Sequence, residues 1–314
     1  MFLANKRILL AKEESSYGQD PTPTVANNFM QASNIKVAYK GDVLERNIQR
    51  GNLSPVTPVI GKRWIEVSFD MELKGSGTRG VAGKLGDLLE ACGLAETVSV
   101  GSSVTYAPSS STMKSITLYV YDAQDSGSAK LHKITGARGN FNLSLEAGAI
   151  GKISFTFQGI YTVPADVSEP GAPTQESTVP PIVQSSAFSL NSVTTLIVQA
   201  LNLDMGNDIQ ASDDVSSAGS IKAFNIVGRK PQGQFNPEAV TVATYNFWSD
   251  WVGATARALS IVIGSVSGNI CTITAPKVTV DNVDMSERSG IMSHDLPYKC
   301  AVNSGNDEIQ IQFT

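Results

Sequence analysis

Glu66, Ser68, Asp70 and Glu72 stand at every second position between Ile65, Val67, Phe69, Met71 and Leu73. On a β-strand such residues share one face and recur every ~6.6 Å, so three carboxylates and a hydroxyl form a polar row. Two carboxylates at that separation can act as the acid and nucleophile of a glycosidase. That chemistry needs a walled, aromatic-lined pocket. The companion rows, Asn140, Asn142, Ser144, Glu146 and Lys152, Ser154, Thr156, Gln158, are instead small polar groups of a flat face. No catalytic residue is expected among them.

Other candidates for chemistry lack partners. Gly75-Ser76-Gly77-Thr78-Arg79-Gly80 misses the spacing to a Lys-Ser or Lys-Thr pair that a phosphate-cradling loop requires and reads as a turn. His132 and His294 lie within alternating segments with no triad or ligand set beside them. Cys92, Cys271 and Cys300 form an odd set without paired spacing, so the expectation is buried inert thiols, no zinc and no disulfide framework. No cofactor and no metal is expected.

The elements that must position these residues are mostly strands. Alternation runs through residues 64–73, 115–121, 140–146 and 152–158, the pattern of half-buried antiparallel sheets. Leu85, Leu88, Leu89 and Cys92 recur at helical spacing, with Gly93 placed to stop a short amphipathic helix. Length 314 suits two domains, and residues 164–181 carry Pro164, Pro170, Pro173, Pro180 and Pro181 among small and acidic residues. The expected division is therefore 1–163, a Pro-rich linker 164–181, and 182–314.

The second half repeats the first faintly and in order. Asn34-Ile35-Lys36-Val37 matches Asn202-Leu203-Asp204-Met205, Gly61-Lys62-Arg63 matches Gly228-Arg229-Lys230, Ile134-Thr135 matches Ile273-Thr274, and Ile153, Phe155, Phe157 match Ile309, Ile311, Phe313. The cluster Phe247-Trp248-Ser249-Asp250-Trp251 stands where a second helix is needed. Collinearity favours a duplicated fold; two unrelated β domains are the other reading.

Charged residues make up 17% and the net charge is −5, which argues against a basic clamp on nucleic acid. No run is long and apolar enough for a membrane helix, and residues 1–7 lack the ordering of a signal peptide, so a cytosolic origin without membrane insertion is expected.

Residues 61–63, the strand through Glu72-Leu73-Lys74-Gly75-Ser76-Gly77, and Leu88-Leu89-Glu90-Ala91-Cys92-Gly93-Leu94 resemble the tail-tube (major tail) proteins of long-tailed bacteriophages. The likeness continues through Val104-Thr105-Tyr106-Ala107-Pro108, Leu131-His132-Lys133-Ile134-Thr135-Gly136-Ala137-Arg138-Gly139 and Ile153-Ser154-Phe155-Thr156-Phe157-Gln158-Gly159, and it covers residues 1–163 better than the rest. It implies two tandem β-sandwich or partial-barrel domains, each with a flanking helix. It also implies rings closed by a continued sheet, here a homotrimer with pseudo-sixfold symmetry, stacked through a long loop and a terminal arm.

The same resemblance implies a non-enzymatic subunit of a genome-ejection conduit in the virion tail, assembled in the host cytoplasm. Its implied partners are tape-measure, terminator and distal tail proteins, and double-stranded DNA passing without specific binding. On that reading Glu66, Ser68, Asp70, Glu72, Asn142, Glu146 and Lys152 face the lumen, where an acidic wall lets a duplex slide. The polar segment 40–58, with Leu44, Arg46, Ile48, Leu53 and Val56, is read as an inter-ring contact loop, since a loop of that length is uncommon without a function. The basic pairs Lys62-Arg63 and Arg229-Lys230 are expected to meet acidic residues of a neighbouring subunit. The alternative is a two-domain β-sandwich that binds glycans or mediates adhesion.

Overall fold

The computed structural model describes residues 2–124 and 127–314. It is mainly β, with 52% of residues in strands and 6% in helices. The first half contains β1 Ile8–Glu13, α1 Val25–Asn28, β2 Phe29–Met30, β3 Ala32–Leu44, β4 Val59–Glu72, α2 Leu85–Ala91, β5 Leu94–Ser99, β6 Ser103–Pro108, β7 Ile116–Ala123, β8 Ser128–Glu146, β9 Lys152–Ile160 and β10 Ala165–Ser168. The second contains β11 Ala187–Leu190, β12 Val198–Asp204, β13 Asn207–Asp213, β14 Ile221–Arg229, β15 Gln232–Pro237, α3 Phe247–Val252, β16 Arg257–Ile263, β17 Cys271–Val280, β18 Asp284–Arg288, β19 Ile291–Cys300 and β20 Gln310–Phe313.

Local sequence accounts for much of this. In β4, Ile65, Val67, Phe69 and Met71 are buried while Glu66, Ser68, Asp70 and Glu72 are half-buried on the opposite face. Helix α2 buries Leu85, Leu88 and Leu89 and ends at Gly93, whose φ of +84° lies in the left-handed region open to glycine. Strand β7 departs from its alternating pattern because both its faces are covered. Thr117 and Ser115 are buried beneath the segment after β1, where the buried Glu14 carboxylate accepts Thr117 Oγ1 at 2.6 Å, Ser115 Oγ at 2.7 Å, and the N–H groups of Gly136 and Gly18 at 2.7 Å each. A buried carboxylate needs such donors, and four converge on this one.

Strand pairing gives the order β2-β1-β7-β8-β9-β4-β3 in the first half. In the second half it gives β11-β16-β17-β19-β15-β12. In each, one long strand (β8 or β17) joins one group, β2-β1-β7 or β11-β16, here called outer, to another, β9-β4-β3 or β19-β15-β12, here called inner, and a short helix follows β4 or β15 in the chain. The two inner groups each begin with a long hairpin, β3–β4 and β12–β13 against β14–β15. The match of Ile153, Phe155 and Phe157 to Ile309, Ile311 and Phe313 fails. The place of β9 is taken by β19, whereas β20 lies beside Cys271–Thr274 of β17 and bridges to β6. Alternation alone does not distinguish two strands that each bury one face.

The halves are stitched by main-chain ladders. Strand β12 pairs with the end of β8, setting Leu201 against Leu145 and Leu203 against Leu143, and all four side chains are buried. Strand β20 pairs with β6, with Ile311 opposite Tyr106. The Pro-rich segment is laid along the first half: Ala165–Ser168 pair with β8, and Thr178 O accepts Lys74 Nζ at 3.3 Å.

Candidate functional site

The inner strands of both halves form one continuous sheet face. Across it, Ser33, Asp70, Ser154, Asn142, Asp204, Gln232 and Lys299 are successive ladder partners. The next row runs Glu72, Lys152, Ser144, Asn202, Gln234 and Pro297. Residues opposite one another in a ladder project to the same side, so Glu66, Ser68, Asp70, Glu72, Asn142, Glu146 and Lys152 share this face. Asp70 Oδ1 accepts Ser154 Oγ at 2.6 Å, its Oδ2 accepts Asn34 Nδ2 at 2.7 Å, and Asp204 Oδ1 accepts Asn140 Nδ2 at 2.7 Å. Short cross-strand bonds of this kind tie the polar groups down and keep the surface shallow. Glu66, Asp70, Glu72, Glu146 and Asp204 stand there against Lys36, Lys152 and Lys299.

The share contributed by the second half, Asn202, Asp204, Gln232, Gln234 and Asn236, escaped the sequence reading. The signal was the alternation Gln232-Gly233-Gln234-Phe235-Asn236, with Phe235 fully buried.

Within segment 40–58, residues through Leu44 extend β3, and 45–58 link it to β4. Leu44, Arg46, Ile48 and Leu53 are exposed and Val56 is partly so. Lys62, Arg63 and Arg229 have partners inside the chain. Lys62 Nζ meets Asp213, and Arg63 donates to Ala218 O at 2.9 Å and lies over the Tyr161 ring at 5.1 Å, which lays the tip of the β13–β14 hairpin across β4. Arg229 meets Glu308 at 3.2 Å and Asn306 Oδ1 at 2.6 Å, while Lys230 is exposed. Lys62, Arg63 and Arg229 thus join distant parts of one chain.

The histidines differ. His132 Nδ1 lies 2.8 Å from Tyr39 Oη and its Nε2 3.1 Å from Asp122, which also meets Arg7 at 2.6 Å. His294 is buried against Phe247 and Trp248, and burial pushes its pKa below the usual histidine range against the opposing pull of the Asp284 backbone. Burial pushes the Cys271 and Cys300 thiols up to about 12, far from a reactive thiolate. Among the described residues, Glu13, Asp87 and Glu90 bring three carboxylates together, but Lys114 Nζ sits 2.9 Å from Glu13 and 3.0 Å from Glu90. That ammonium supplies the positive charge the cluster needs. The chain is irregular at Gly75 and Ser76, bends at Gly77 and Thr78 and turns at Arg79 and Gly80, with the backbone at Gly75 and Gly77 against Gly268 and Asn269.

A wide sheet of small polar side chains, carried without a break from one half to the other and ending in open strands, defines a structural subunit made for assembly. A family model of phage tail tube proteins matches residues 4–306, nearly the whole chain, and the chain belongs to that family. The likeness read from the first 163 residues therefore extends through the second half. Comparison with curated protein sequences gives no match. The protein is a structural subunit of a phage tail tube, a component of the virion tail that self-assembles and meets other tail proteins. The glycan-binding alternative finds no support in the match.

Proposed function

We propose that the chain carries a duplicated tube domain, divided at the Pro-rich segment 164–181, and that three copies close into a ring with pseudo-sixfold symmetry. The observation that carries this is the β8–β12 ladder. It already joins two inner sheets of like strand order edge to edge, and repeating that joint closes a barrel in which sheet edges disappear. The continuous polar face becomes the lumen. Its carboxylates and small hydroxyl and amide groups leave a duplex hydrated, so DNA passes during genome ejection without specific binding or catalysis.

The exposed 45–58 loop stacks rings, and the tube ends meet tape-measure, terminator and distal tail proteins during assembly in the host cytoplasm. Electron cryomicroscopy of purified, concentrated protein tests the reading. Tubes with three chains per ring and Glu66, Asp70 and Glu72 on the inner wall are expected; dispersed monomers, or those residues on the outer wall, overturn it.

A further inference from the structure

The joint inside one chain specifies the joint between chains. In the first half Lys36, Ser68, Thr156 and Asn140 lie side by side across β3, β4, β9 and β8. In the second half Asp204, Gln232, Lys299 and Thr279 do so across β12, β15, β19 and β17. Thr279 stands 139 residues after Asn140, the spacing of Ile134 to Ile273, and Asp204 stands 168 after Lys36, the spacing of Asn34 to Asn202. Two independent sequence offsets thus meet in one structural row. Two residues further along, Asn142 corresponds to Asp281. One row beyond that, Lys152 and Ser144 correspond to Asp295 and Asp284, which are themselves opposite each other.

Within the chain Asn142 is opposite Asp204 and Ser144 is opposite Asn202. Resting on the ring reading above, we infer that the open edge formed by Asp281 and β18 of one copy takes up β3 of the next as an antiparallel strand, with Asp281 opposite Lys36 and Asp284 opposite Asn34.

The two edges suit this occupant. Among the described residues β3 has ladder bonds to β4 alone and β18 to β19 alone; beside these, Arg7 Nη1 donates to Ile35 O at 2.6 Å and Trp251 Nε1 to Asp281 O at 2.9 Å. Asp281 and Asp284 are exposed on one edge and Lys36 on the other, so the carboxylates face a cation where the internal joint has Asn142 facing Asp204. Asp281 already meets Lys299 at the surface, and Lys36 would complete a Lys–Asp–Lys row. The apolar side is equally unfinished. Leu143 and Leu203 are fully buried in the internal joint, whereas Val283 and Ile35 at the corresponding places are only partly buried, and Met285 is 54% exposed. The edges differ from each other, so the contact is heterologous and forms a ring only if its rotation closes.

Cysteine pairing tests this in the full chain with Cys300→Ser. Lys36→Cys with Asp281→Cys, oxidised mildly after tubes form, should give a non-reducing ladder that stops at three chains; either single variant should give monomer. Asn142→Cys with Asp204→Cys should close within one chain, as the internal control. Because both chosen positions lose a charge, a second pair is measured: Lys36→Glu should reduce tube yield at least tenfold, and adding Asp281→Lys should restore it. Normal tubes that fail to cross-link, or no rescue by the charge swap, overturn the edge assignment and leave the tube reading standing. Wild-type protein that forms neither rings nor tubes overturns both. A ladder stopping at six chains supports the edge pairing and overturns the three-chain ring.

Discussion

Asn269 Oδ1 accepts the Gly75 backbone N–H at 2.7 Å, while its Nδ2 donates to Val179 O at 2.7 Å. One buried amide of the second half thereby holds both the end of the β4 strand path and the Pro-rich segment. Replacing it with Ala leaves a buried N–H and a carbonyl without partners and should cost about 1–3 kcal/mol in chemical denaturation. Gly268→Ala should cost more: at φ +84° a Cβ is strained, and it would strike the Gly77 backbone. An Asn269→Ala variant as stable as the parent would show that water replaces both bonds.

Glu14 carries four hydrogen bonds in the interior. Glu14→Ala should destabilise the fold by on the order of 3 kcal/mol, because three buried donors and the part-buried Gly18 N–H lose their acceptor together. Loss of protection in β1 and β7, read by amide exchange, would locate the damage.

His294 should make stability fall in mild acid. Burial keeps its folded-state pKa below the unfolded value of ~6.5, so above that pH both states are neutral and the residue adds no pH dependence. Below it the unfolded chain binds a proton that the folded chain refuses, and stability declines with a limiting slope of about 1.4 kcal/mol per pH unit until pH reaches the lowered folded value. His294→Phe should flatten that part of the profile, measured as unfolding free energy between pH 7 and 5.

Charge reversal of Glu66, Asp70 and Glu72 to Lys should leave the core face of β4 intact and cost little stability beyond the Asp70 bonds to Ser154 and Asn34. Tubes of the triple variant should retain duplex DNA, with retention falling steeply as salt rises. Unchanged passage of DNA would remove these residues from the lumen.

Deleting residues 42–53 should give a soluble, folded chain that no longer forms long tubes. The removed part is exposed, including Val43, Leu44, Ile48 and Leu53, so stability should hardly change. Sedimentation and electron microscopy read both outcomes, and tubes of normal length would assign the loop another role.

The strands of the polar face were legible because β4, β9 and the end of β8 have one dry and one wet face, so Phe69, Phe141, Phe155 and Phe157 announce the period directly. Helix α3 was legible for its aromatic cluster, with Asn246 Oδ1 capping Ser249 N at 2.9 Å. What escaped depends on contacts distant in sequence. Thr117 looks wet until Glu14 covers it, and β20 looks like β9 until its partners are known. Lys62 and Arg63 look free for another subunit until the β13–β14 tip crosses them. His294 reads as an ordinary strand histidine because nothing nearby in sequence reveals that Phe247 and Trp248 close over it.

The β8–β12 ladder also bears on how assembly begins. In a ring closed as proposed, every second seam forms within a molecule, at the effective concentration that a covalent link imposes. The nucleus then needs three chains instead of six, and the nucleation rate should vary with roughly the third power of subunit concentration. A tube built this way can stay dissolved as monomers at low expression and polymerise over a narrow rise in concentration, because its starting ring draws on fewer chains than one built from single domains.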